Sequence, residues 1–73
     1  MPSIEIVEVY GIRISRKEAS LLRIVFEHGD QYMRNDAMTE IEKIASPETL
    51  EYIAMKHQDQ YMRNWAMTAL KKL

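Results

Sequence analysis

Two histidines 29 residues apart, His28 and His57, are the first side chains here whose type could do chemistry. A pair of imidazoles can hold a metal, but a metal site needs further ligands. The chain has no Cys, and no ordered carboxylate cluster accompanies the two rings. A histidine near the C-terminal end of a helix is favourable with the helix dipole, and that is the preferred reading. No metal and no cofactor is therefore expected. No nucleophile–base arrangement, glycine-rich phosphate loop or set of paired carboxylates stands out either. The two glycines are accounted for by a turn at Gly11 and a helix end at Gly29. The expectation is a protein that is not an enzyme, with no evident small-molecule substrate.

The histidines belong to a larger pattern. DQYMRNDAMTEIEKI at 30–44 returns as DQYMRNWAMTALKKL at 59–73. At a shift of 29, residues 17–44 and 46–73 match at 13 of 28 positions, Leu21/Leu50, Ile24/Ile53 and His28/His57 included. Identity reaching back beyond the DQYMRN blocks makes this a repeated supersecondary unit rather than a repeated peptide.

The elements that would position these residues can be read from spacing and caps. Residues 4–14, IEIVEVYGIRI, alternate and are β-branched, which argues for strand. With Tyr10-Gly11 as a two-residue turn, Val9 faces Ile12, Glu8 faces Arg13, Val7 faces Ile14 and Glu5 faces Arg16. The alternative is one continuous strand. The hairpin is preferred because it keeps charge off the apolar face. Ser15 and Glu18 have the form of a capping box opening a first helix, in which Glu18 reaches back to the Ser15 amide. That helix carries Ala19, Leu22, Val25 and Phe26 at helical spacing and stops at Gly29. Asp30 caps a second helix running to about Ala45. Ser46-Pro47-Glu48 opens a third that ends near Gln58, and Asp59 caps a fourth that runs to the C-terminus.

On a wheel at about 100° per residue, Met33, Ala37, Met38, Ile41, Ile44 and Ala45 of the second helix fall within an arc of about 140°. Arg34 lies inside that arc, as Arg63 does in the second unit. A buried arginine needs a partner, and Asp30 and Asp59, one turn earlier, are the nearest candidates.

A helical hairpin of this length with Asp at the inter-helix turn, Arg four residues on, Ala three further and then Leu or Ile resembles the HEAT-like repeat. The matching residues are Asp30, Arg34, Ala37 and Ile41, then Asp59, Arg63, Ala66 and Leu70. The resemblance covers residues 17–73 and leaves the hairpin out. It implies an α-solenoid fragment, with an Asp–Arg ladder joining the two units through Asp30, Arg34, Asp59 and Arg63. It also implies a scaffold for proteins, sometimes for nucleic acid. One enzyme family of this type binds iron through His-Glu dipeptides; here Gly29 and Gln58 follow the histidines, so that motif is absent. About three units are usually needed to bury a solenoid core, and this chain has two.

Where the units diverge, Asp36 becomes Trp65 and Glu40 becomes Ala69. The apolar arc of the fourth helix thereby widens to about 200°. Trp65 has three readings: packing within the chain, for instance under the hairpin, contact with an identical chain, or a docking point for another partner. Leu73 and Ala69 lie on the same face. The methionines are read chiefly as core, with Met38 and Met67 at the arc edge, where an adaptable surface would sit. Tyr32 and Tyr61 lie in the first turns on the outer side and could form a polar strip with the neighbouring Gln and Asn residues.

Composition narrows the partners. Net charge is −1, from 10 basic and 11 acidic residues, which offers no general attraction to nucleic acid or acidic lipid. No window approaches the about 18 apolar residues of a membrane span. Glu5 and Glu8 interrupt any signal-like apolar run, and absence of Cys favours an intracellular setting, so the cytoplasm is the expected place. A core this small supplies roughly 3–5 kcal/mol and usually needs a staple. By elimination that staple is another protein chain.

The expected architecture is mostly α: an N-terminal β-hairpin over 1–14, then two HEAT-like helical hairpins over 15–73, in a single domain. The expected function is a non-catalytic protein-binding or scaffold module, working as a homodimer or as a small adaptor subunit. The alternatives are a nucleic-acid-associated accessory protein or a small regulatory subunit of an enzyme encoded elsewhere.

Overall fold

The computed structural model describes residues 5–44 and 46–73. Residues 1–4, and Ala45 at the expected end of the second helix, lie outside them. Strands β1 (Ile6–Val9) and β2 (Ile12–Ser15) are followed by α1 (Arg16–Glu27), α2 (Gln31–Ile44), α3 (Pro47–Lys56) and α4 (Gln60–Lys71). The order is the expected one, a two-stranded hairpin and then four helices.

The hairpin has the register that the charge pattern demands. Val9 pairs with Ile12, Glu8 with Arg13, Val7 with Ile14 and Ile6 with Ser15. Tyr10 (φ 51°) and Gly11 (φ 82°) both take the left-handed region, as a type I′ turn requires. Gly11 does so freely; Tyr10 is strained there. Contacts hold it in place. Its ring lies 5.6 Å from Tyr52, parallel to it, and 5.2 Å from Phe26, while its hydroxyl donates to the Glu27 carboxylate. Burial, then that carboxylate, pushes the phenol up to about 12. At the open end Arg16 donates to the Glu5 carboxylate at 2.6 and 2.9 Å, and its amide reaches the Glu5 carbonyl at 2.9 Å.

Val9 and Ile14 are buried, so the hairpin lays one face across α1 and α3. A single apolar cluster then runs through the molecule, from these two residues through Leu22, Val25, Met38 and Ile41 to Leu50, Ile53 and Met62. The helical hairpins α1–α2 and α3–α4 are its two halves. Among the described residues no helix is long and apolar enough to cross a membrane.

Two expected local signals work differently. Gly29 is not what stops α1. His28 turns extended instead (φ −74°, ψ 137°), with its amide reaching the Ile24 carbonyl. His57 ends α3 the same way (φ −69°, ψ 142°), although Gln58 stands where Gly29 does. The capping box at Ser15 is also only half formed. The Ser15 hydroxyl accepts from the Glu18 amide at 3.2 Å, but the Glu18 carboxylate has another employment, described below.

Candidate functional site

The repeated letters build a turn, twice. In each unit the histidine Nδ1 accepts the amide two residues on, Asp30 in one case and Asp59 in the other, at 3.0 Å. That aspartate then caps the following helix, accepting the amide of Tyr32 at 2.8 Å or of Tyr61 at 2.9 Å. The arginine folds back over the turn. Arg34 donates to the His28 carbonyl at 2.5 Å, and Arg63 to the His57 carbonyl at 2.6 Å and the Gln58 carbonyl at 3.0 Å. This corrects the expected Asp–Arg ladder through Asp30, Arg34, Asp59 and Arg63. Among the described residues the ion pairs are Arg16–Glu5 and Lys43–Glu40. The aspartates are committed to their own caps. The guanidinium groups satisfy carbonyls that the end of a helix leaves without amide partners.

Among the described residues three polar contacts tie the first unit to the second, and the sequence pattern identified none of the partners. Glu18 is the first. It is buried at the start of α1, where it takes the Ser15 hydroxyl at 3.0 Å and reaches across to α3. There it accepts from the Thr49 hydroxyl at 2.7 Å, and from the amide and hydroxyl of Ser46 at 3.2 and 3.4 Å. Ser46 makes no side-chain cap of its own, so the carboxylate of another helix caps α3. Burial alone would push Glu18 up. The hydrogen bonds from Thr49, the Ser46 backbone and Ser15 outweigh it and hold the carboxyl below the usual range.

His57 is the second. Since its Nδ1 accepts an amide proton, its Nε2 carries the ring hydrogen. That nitrogen lies 2.7 Å from the Val25 carbonyl, in the last turn of α1. The ring is buried, 4.7 Å from Phe26. His28, its counterpart, is exposed. Among the described residues no group of three or more His, Cys, Asp or Glu is placed to hold a metal ion.

The third contact is Trp65. Its indole nitrogen donates to the Glu42 carboxylate on α2, and its ring meets Tyr61 edge-on at 5.8 Å. It is half-buried against the core. Of the three sequence readings the structure realises packing within the chain, though against α2 and not beneath the hairpin. Ala69 is buried beside it and Leu73 is exposed. Tyr32 and Tyr61 are both exposed, on the outer side as expected.

The methionines sort unlike the wheel. Met38, at the arc edge and read chiefly as core, is 0% exposed, whereas its counterpart Met67 is 43% exposed. Met33, expected in the core, is 42% exposed, while Met62 is 0%. Identical residues at identical positions thus face opposite ways with respect to solvent. The buried set of the second unit (Leu50, Ile53, Met62, Ala66) is what faces the first unit. The same four residue types in the first unit are Leu21, Ile24, Met33 and Ala37. Together with Asp36 and Glu40 they line a shallow depression between α1 and α2 on the outer side.

Along this polar seam the repeat breaks at several positions: Lys17 stands opposite Ser46, Glu18 opposite Pro47, Ser20 opposite Thr49, Asp36 opposite Trp65 and Glu42 opposite Lys71. No family model, curated protein or solved structure matches the chain.

Proposed function

We propose that this chain is a non-catalytic protein-interaction or scaffold module of the HEAT-like type, built from two helical units, and that it self-associates. The observation that carries the reading is the exposed Met33, the counterpart of the fully buried Met62. A face that the second unit uses to bury itself is left open on the first. Beside it, Leu21 and Ile24 are only half-buried. Apolar surface gathered at one end of a stack favours a protein partner. The cytoplasm is the proposed compartment, in keeping with a sequence free of Cys.

Light scattering across a concentration series tests this. The expected result is a mass that rises above the 8.6 kDa of one chain. A constant 8.6 kDa up to about millimolar concentration, where an association free energy of about 4 kcal/mol would already show, overturns self-association.

A further inference from the structure

The interface inside the molecule is a template for one between molecules. We propose that the outer face of α1–α2 receives the outer face of α3–α4 from a second copy of this chain, head to tail, through the contacts that join the two units within one chain. The inference rests on the interaction-module reading and supplies its partner and its two faces.

Shifting each internal contact by 29 residues gives the contact expected between molecules. Inside the chain, Leu50, Ile53, Met62 and Ala66 pack toward the first unit; between chains, Leu21, Ile24, Met33 and Ala37 do so, with no change of residue type. The receiving face inside the chain includes Met38 and Ile41, both fully buried. Its counterpart is Met67 and Leu70, of which Met67 is exposed and Leu70 half-buried. His57 meets Val25 and Phe26 internally; His28 then meets the Ala54 carbonyl and Met55, whose side chain is 73% exposed.

The charged positions change, and they change in register. Internally Trp65 donates to Glu42. Between molecules the same two positions are Asp36 and Lys71, an acid facing a base. At the other end of the seam Ser46 donates to Glu18. Its counterparts are Lys17 and Pro47; Pro47 brings no carboxylate, but Glu48 and Glu51 stand in the same first turns of α3. Both substitutions therefore put opposite charges across the new seam, where a repeated Glu42 facing Asp36 would have repelled. Glu51 also replaces Leu22, so the contact is less apolar than the internal one and weaker. A heterologous contact of this kind extends into an open chain or a ring and does not stop at a two-fold dimer.

Sedimentation of Met33→Asp and Met67→Asp, alone and mixed, tests the pairing. Both side chains are exposed, so each variant keeps its fold, which circular dichroism checks. Wild type is expected to grow beyond a dimer with concentration. Each variant alone loses association by about tenfold or more, because a charge would have to be buried without a partner. Mixed one to one, they recover a dimer and nothing larger, since each retains the face that the other lacks. A charge swap adds an independent arm. Asp36→Lys and Lys71→Asp each weaken association about fivefold, and the double variant restores it.

If wild type associates but both methionine variants do so equally well, the faces are wrong while the interaction reading stands. If one variant dimerises like wild type and the mixture gains nothing, the contact is two-fold and the head-to-tail proposal falls. If wild type remains at 8.6 kDa throughout, the proposal and the self-association reading fall together.

Discussion

Met33 and Met62 are the same side chain, in the same turn of the same helical unit, yet one is exposed and the other wholly buried. Met38 and Met67 reverse the order. The periodicity of a helix determines which residues share a face. Only the neighbour determines whether that face is dry. The first unit buries the face bearing Met38 because the second unit lies there, and the second buries the face bearing Met62 for the same reason. The outward faces carry Met33 at one end and Met67 at the other, where no neighbouring unit of this chain lies against them.

The largest test of this asymmetry is Met62→Ala against Met33→Ala. Deleting a fully buried methionine costs about 2–4 kcal/mol, through lost burial and the cavity left behind. The same deletion at Met33 is expected to cost less than about 1 kcal/mol. Urea denaturation of both variants, at a concentration where the chain is monomeric, measures the difference. Equal losses would mean that the two faces are equally covered.

Next comes Glu18, the carboxylate that the second unit replaces with Pro47. Glu18→Ala leaves the buried Thr49 hydroxyl and the start of α3 without an acceptor, at about 2–3 kcal/mol. The pH dependence has a definite sign. The folded-state carboxyl titrates below its unfolded value. Its stabilisation is thus present above the unfolded value of about 4.3 and is lost as pH falls through the lower folded value. Glu18→Gln is expected to flatten that acid limb of the stability profile. A limb of unchanged steepness would assign the acid sensitivity to other groups, such as Glu5, which Arg16 also holds below the usual range.

The smallest expected contrast is between the histidines. His57→Ala removes the hydrogen bond to the Val25 carbonyl and the packing on Phe26, for about 1–2 kcal/mol. His28→Ala removes only the turn contact to Asp30 and is expected to cost about 0.5 kcal/mol. Similar losses at both sites would show that the shared turn, rather than the contact between units, is what the histidine serves.

Much of the fold was legible because it is local. Alternation, a two-residue turn and an opposite-charge pair suffice to place β1 against β2 in the right register. Asp30 and Asp59 cap their helices as their type predicts. The Arg34 and Arg63 partners were misread because wheel geometry suggests neighbours along a helix, whereas the guanidinium reaches backward over the turn to carbonyls. Glu18 was legible as a cap residue and not as a link to Ser46 and Thr49, about 30 positions on. Nothing in a local pattern indicates which distant helix end a carboxylate will meet.

The sequence by itself determined the hairpin, the four helices, the doubled turn and the positions at which the two units differ, since these follow from propensities and contacts between near neighbours. The tertiary structure alone decided which of two identical methionines is buried, that Trp65 turns to Glu42 on α2, and that one histidine joins the units while its twin faces water. Burial depends on what lies beside a helix, and an isolated unit carries the same letters whether its neighbour is present or not.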